Sequence, residues 1–272
     1  MIHFKLKHIN ELQPAGSIDA PSLSWFWMTD GTLWWNISEF TLYEYTEQAQ
    51  AYFSATGKMT QYNEYFIVRF LEDFTKLFGR IGEPVTDELY PLTENLNDFL
   101  RDAQKWLDLN DTDEEDYSDF YFEEFDGLIS WIKDRSFDSL HLVGGPYISF
   151  FRNQDSMRIS WDTDYELEEG IQLWTAPSGS VEIPYQDFIH VVKDFGKRFF
   201  DAMGQQVQLG VQKDWGNIYL DKKRLIEEHK ERETAFWDQV ALLETKPASM
   251  TDWESIRGLK SQMDYEIDTT SP

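Results

Sequence analysis

The chain has no cysteine in its 272 residues. Disulfides, thiolate-bound zinc, iron–sulfur clusters and a cysteine nucleophile are therefore excluded. Histidine is scarce. His3, His8, His141, His190 and His229 show no spacing of a helical metal pair, and no H-E-x-x-H occurs. Positive charge is short as well: 24 Lys and Arg stand against 50 Asp and Glu, a net charge of −26. Such a surface repels DNA, RNA and anionic membranes, which are held by Lys and Arg. Long apolar runs are missing, since nothing approaches the roughly 18 residues of a membrane span. Met1 to Lys7 alternates in polarity, unlike a signal peptide. The expectation is a cytoplasmic protein with no membrane and no nucleic-acid partner.

Phosphate and nucleophile motifs are also lacking. Val143-Gly144-Gly145-Pro146 has no G-x-G-x-x-G or G-K-[ST] beside it, and Pro177-Ser178-Gly179-Ser180 is a turn, not a G-x-S-x-G elbow. Asp108-x-Asn110-x-Thr112 and Asp111-x-Asp113-x-Glu115 approach a calcium loop, but Asp113 and Asp116 stand where it needs glycine. No cofactor and no metal is expected.

What is present is aromatic. Trp, Tyr and Phe make up 16% of the chain and hydrophobic residues 41%, enough for a sizeable core. Four tryptophans (Trp25, Trp27, Trp34, Trp35) lie within eleven residues around Thr29-Asp30-Gly31. Asp-Gly between apolar runs predicts a hairpin over 23–37, with Gly31 supplying positive φ. Trp25 and Trp27 would share one face, and Trp34 and Trp35 would point oppositely. Rings on both faces suit a strand covered on both sides, so core is favoured over binding platform.

Alternation predicts further strands at 2–6, 40–45, 140–143, 171–175 and 180–183, and a hairpin of 147–152 with 157–161 turning at 153–156. Residues 9–22, with Pro14, Gly16 and Pro21, read as a loop. Apolar residues at helical spacing predict helices over about 67–81, 91–107, 184–203, 220–243 and 251–263, with a frayed tail at 264–272. The fold class expected is α+β: antiparallel sheets covered by long amphipathic helices, as one domain over 1–272. Ser24–Trp34 echoes Ser149–Ile159, and Asp73–Phe78 echoes Asp194–Phe199. That suggests an internal duplication with halves 1–135 and 136–250.

Two carboxylate groups are candidate sites. Residues 108–126 carry ten acids and no Lys or Arg, with Tyr117, Phe120, Tyr121, Phe122 and Phe125 among them. A solvated linker carries few rings, so 108–116 reads as loop and 117–134 as ordered, passing into helix. Asp111, Asp113, Glu114, Glu115, Asp116 and Asp119 form the candidate partner-binding patch. Asp162, Asp164 and Glu166 alternate with Glu168, and on a strand they would share a face as an alternative carboxylate site.

Several motifs carry a family resemblance in their order: Ser24-Trp25 before Thr29-Asp30-Gly31, Gly145-Pro146, Ile159-Ser160-Trp161-Asp162, Gly170 to Ala176, Ile183-Pro184 with Phe188, Asp194-Phe195 and Met203, and Glu228-His229 with Arg232. Over about 23–240 the chain resembles a bacterial family known as a domain of unknown function. The resemblance transfers no catalytic residue. It implies an association with immunity proteins of toxin systems. The reading that follows is a non-catalytic acidic binding protein that neutralises a basic toxin domain. The alternatives are a hydrolase of a glycan or other neutral substrate using Asp162, Asp164 and Glu166, and a structural or regulatory protein.

Overall fold

A computed structural model describes residues 1–54, 60–111, 118–139, 141–245 and 249–270. The central strand of its first sheet is β4 (Asp30–Ile37), which alternates strictly: Gly31, Leu33, Trp35 and Ile37 point into the core. β1 (Ile2–Leu6) pairs antiparallel along one edge of β4, with Ile2 opposite Trp35 and Leu6 opposite Gly31. β5 (Phe40–Leu42) and β6 (Asn63–Phe66) share the other edge. Before this sheet is built, β2 (Ala15–Ser17) and β3 (Ala20–Ser22) form a small hairpin inside the expected loop. The short helix α1 (Glu47–Ser54) lies between β5 and β6.

Helices α2 (Ile67–Thr75) and α3 (Phe78–Gly82) follow. They divide the single helix expected over 67–81, because the Leu77 amide turns back to the carbonyl of Phe74. A 3-10 turn (Tyr90–Thr93) leads into α4 (Leu96–Leu109). Within the last part of the acidic segment, a π turn (Tyr121–Phe125) runs into α5 (Asp126–Lys133).

The second sheet orders as β10 (Gly179–Pro184), β9 (Ser156–Asp162), β8 (Tyr147–Asn153) and β7 (Ser136–Phe137), all antiparallel. The β8–β9 hairpin forms as expected, with Gln154 at φ 49° in its two-residue turn. Three long helices complete the chain: α6 (Tyr185–Gln212), α7 (Lys222–Glu244) and α8 (Trp253–Thr270). The architecture is α+β with antiparallel sheets, as its sequence pattern predicts.

One helix joins the two sheets. The 28 residues of α6 extend about 42 Å at 1.5 Å per residue. Phe195 and Phe199 meet Phe4 of the first sheet at 5.8 and 5.7 Å, and Phe188 meets Phe150 of the second at 5.7 Å. α7 closes over α6 at Gly196, where a Cβ would fall 2.0 Å from the Phe236 ring. Strand β8 is buried on both faces. Phe150 enters this main core, and Phe151 enters a second one built from α4, α5 and α8 around Trp106, Trp131 and Met263.

The Trp-rich stretch departs from its expected hairpin. Ser24 to Thr29 is a helical turn: the Met28 amide donates to the Ser24 carbonyl and the Thr29 amide to that of Phe26. Trp25 and Met28, both fully buried, sit three apart, which is helical spacing. Trp27 therefore does not share a strand face with Trp25, and its ring meets Phe66 at 4.8 Å. Asp30 and Gly31 lie inside β4 and not in a turn. Trp34 and Trp35 do point oppositely. Trp35 enters the core beside Phe74, and Trp34 stacks between His3 at 5.4 Å and Tyr62 at 4.4 Å.

Other differences have local causes. Tyr43 takes φ 65°, which ends the third strand at Leu42 short of Tyr45. The segment His141 to Val143 is turn and bend, not strand, while Leu140 lies outside the described residues. Residues 171–175 form only isolated bridges, Gln172 to Glu166 and Trp174 to Tyr45. The tail expected to fray at 264 continues α8 to Thr270, because Met263 is buried and Glu266 is bonded to α4. In the internal echo, the helical turn at Ser24–Thr29 stands opposite a strand at Ser149–Asn153, and the broken α2–α3 pair stands opposite unbroken α6.

Candidate functional site

The acidic segment is carried by the second core. Phe120 packs edge-on against Trp106 of α4 at 4.7 Å, and Tyr121 stacks on buried Phe125 at 5.7 Å. The π turn makes both contacts possible. Its i→i+5 bond, from the Asp126 amide to the Tyr121 carbonyl, adds a residue to the turn. Phe120 and Phe125, five apart, then face the same side, which 3.6 residues per turn would not permit. The residue forced outward is Phe122, which is 70% exposed.

α8 lies alongside. Trp106 Nε1 donates to Glu266 Oε2 at 2.6 Å, and Gln262 Nε2 donates to Glu124 Oε2 at 3.3 Å. Burial pushes the Glu266 carboxyl up, but hydrogen bonds from Trp106, Gln262 and Asn110 outweigh it and hold its pKa below the usual carboxylate value. Tyr265 on the same helix is 71% exposed. Two exposed rings thus stand on neighbouring elements of an acidic layer.

The stretch of sequence that supplies most of that layer holds a disproportionate share of the charge. Residues 86–134 contain sixteen Asp and Glu against three Lys and Arg, a net −13 of the molecule's −26. Of the patch expected from the sequence, Asp111 and Asp119 are exposed, and neither forms an ion pair with another described residue. The same holds for Glu123. Asp113, Glu114, Glu115 and Asp116 lie outside the described residues. The remainder of the segment, Ser118 onward, is ordered as expected, and it is helical from its start and not only towards its end.

The layer is latched to the main body by a buried ion pair that no local sequence pattern announces. Arg135 is fully buried and Glu83 is 3% exposed. Arg135 Nη2 donates to Glu83 Oε2 at 2.8 Å, and its guanidinium lies 5.0 Å from the Trp253 ring. Glu83 also accepts from Thr251 Oγ1 at 2.6 Å and from the amides of Met250 and Thr251 at 2.9 and 3.1 Å. Burial alone would raise the Glu83 carboxyl. The hydrogen bonds from Thr251 and Met250 and the charge of Arg135 bring it below its ordinary value. The lead-in to α8 is thereby fixed at one point.

The alternative carboxylates are not brought onto one strand face. β9 ends at Asp162, because Thr163 leaves the ladder to bond Ala176 and Ser178. Asp162 Oδ1 accepts from the Asp164 amide and from Ser178 Oγ, both at 2.9 Å. Asp164 and Glu166 are exposed in the loop that follows, and Glu166 takes a bond from Gln172 at 2.6 Å. Asp162 lines a recess of about 210 Å³ between β9, β10 and the start of α4. Asp164 lines a second, more open hollow beside it.

Histidines take packing roles. His229 Nδ1 accepts from Trp25 Nε1 at 3.3 Å, and its ring stacks on that indole. Arg232 covers Trp25 at 4.7 Å and pairs with Glu228 and Glu72, tying α7 to α2. His190 lines a shallow groove between α6 and α7. Among the described residues no group of three or more His, Asp and Glu is placed to hold a metal ion, and no helix is long and apolar enough to cross a membrane.

A family model described as "Family of unknown function (DUF5984)" matches residues 1–259, and the chain belongs to that family. No curated protein and no solved structure matches the chain.

Proposed function

We propose that this member of the family is a non-catalytic binding protein whose acidic helical layer receives a basic protein domain, most specifically a toxin domain that it neutralises. The observation that carries this reading is a helical layer that exposes Asp111, Asp119 and Glu123 together with Phe122 and Tyr265, in a stretch of sequence, 86–134, that carries half the net charge. Aromatic anchors ringed by charge of one sign suit an interface: the rings provide buried area and the carboxylates steer the partner. A basic nuclease domain presents the complementary surface, and covering its phosphate-binding cleft would block it. An acidic patch raises association rates by about 10- to 1000-fold at low salt.

The carboxylate-hydrolase reading has less support. Asp162 Oδ1 already accepts two hydrogen bonds, and Glu166 is directed to Gln172.

The test is binding to, and inhibition of, a basic toxin domain encoded beside this gene, by the parent chain and by D111N/D119N/E123Q and F122A variants. The neutralised variant should associate at least tenfold more slowly at low salt, and Phe122→Ala should speed dissociation. Rates unmoved by both variants would sink the proposal.

A further inference from the structure

The recess beside Asp162 has a chemistry unlike the rest of the surface. Its floor is formed by Tyr147 and Trp161, and its rim by Asn95, Asn97 and Ser180. Asn97 and Ser178 also line the adjoining hollow of about 630 Å³, so the two form a continuous groove. No Lys, Arg or His lines either part, whereas two other grooves among the described residues carry Lys193 and Lys197, or Lys5 and Lys7.

The groove walls are fixed by bonds made within the fold. Ser160 Oγ donates to the Thr93 carbonyl at 3.1 Å, tying β9 to the lead-in of α4. Trp161 Nε1 donates to Pro177 at 2.8 Å, and Trp174 Nε1 donates to Gly144 at 2.6 Å. Against this fixed frame, the side chains of Asn95, Asn97 and Ser180 make no hydrogen bond to another described residue.

We infer that this groove binds a neutral saccharide, with one pyranose ring seated in the recess and the chain continuing along the hollow. Three features select that ligand. The carboxylates of Asp162, Asp164, Glu94 and Asp98 reject anions. The groups left open are the Asn95 and Asn97 amides and the Ser180 hydroxyl, which both donate and accept, with the Glu94 and Asp164 carboxylates as further acceptors; sugar hydroxyls, which donate and accept, match that mixture. The recess, at about 210 Å³, is smaller than the roughly 300–1000 Å³ of sites for larger organic ligands. The groove acts here as a binding site and not a hydrolytic one.

The test is ligand-observed NMR and calorimetry of the full chain with neutral oligomers of glucose and of N-acetylglucosamine. Glucuronic acid oligomers and tetralysine serve as counter-probes. A neutral oligomer should bind in the micromolar to millimolar range and the acidic sugar should not. Asn97→Ala should weaken binding by up to about tenfold, the loss of one hydrogen bond. Asn97→Trp should abolish it, while thermal unfolding stays that of the parent because the position is exposed. The inference is overturned if no neutral oligomer binds at millimolar concentration. It is equally overturned if Asn97→Trp leaves saccharide binding intact, or if tetralysine displaces the saccharide from the parent groove.

Discussion

At the scale of single residues, Gly31 shows how a correct importance can rest on a different cause. It does not sit in a turn, and its φ is not positive. A Cβ there would fall 2.3 Å from the Lys5 carbonyl oxygen and 2.9 Å from the Leu6 Cα. Backbone cannot move aside as a side chain can. Gly31→Ala and Gly31→Val should therefore each cost about 3 kcal/mol, the upper part of the range for overpacking. Urea unfolding midpoints measure this, and an unchanged midpoint for alanine would refute the close-approach account. Two histidines supply a pH dependence. Burial lowers the pKa of His229 despite Glu233, and burial lowers that of His141 despite Asp73. A base with a depressed folded pKa binds more protons when unfolded, so stability falls with acidity. The loss should begin as pH drops below the ordinary value of 6.5. Glu83 and Glu266, both held low, should extend the loss into the acid range. Denaturation midpoints between pH 8 and pH 4 follow the trend, and His229→Gln should flatten its upper part.

Among elements, the docking of α8 hangs on the Glu83–Arg135 pair. Removing either partner leaves a buried charge uncompensated, which costs roughly 3–5 kcal/mol. Glu83→Ala and Arg135→Ala should each show that loss, and the double variant should lose less than their sum. Hydrogen exchange should then speed up in α8 more than in β4 and β8. Equal acceleration throughout would mean that the latch has no special bearing on α8. The π turn before α5 is the second informative element. Without its extra residue Phe120 and Phe125 could not both pack, and Phe122 would not be held out in solvent.

For the whole molecule, net charge and its distribution decide behaviour. With −26 overall, self-repulsion opposes the compact state and is screened by salt. Melting temperature should rise as sodium chloride increases from 10 mM to a few hundred millimolar, where the Debye length falls to about 10 Å and below. A flat or falling profile would show that ion pairs such as Arg232 with Glu72 and Glu228 outweigh the repulsion.

The sequence by itself determined the α+β class, the β8–β9 hairpin, the helices α6 and α7 and the concentration of acid between 108 and 126. Each follows from local periodicity or from composition, which need no knowledge of neighbours. It also placed Trp34 and Trp35 on opposite faces. It misplaced the Trp25–Gly31 stretch, because Asp-Gly is a turn signal only where the flanking strands pair with each other, and here β4 pairs with β1, β5 and β6. Tertiary structure alone decided the rest. Glu83 met Arg135 across 52 positions of chain, and α8 was ordered past its apolar stripe by a bond from Trp106. The groove beside Asp162 was assembled from α4, β9 and β10. None of these is a local pattern. Each needs residues far apart in sequence to be brought within hydrogen-bond reach, and only the packed chain does that.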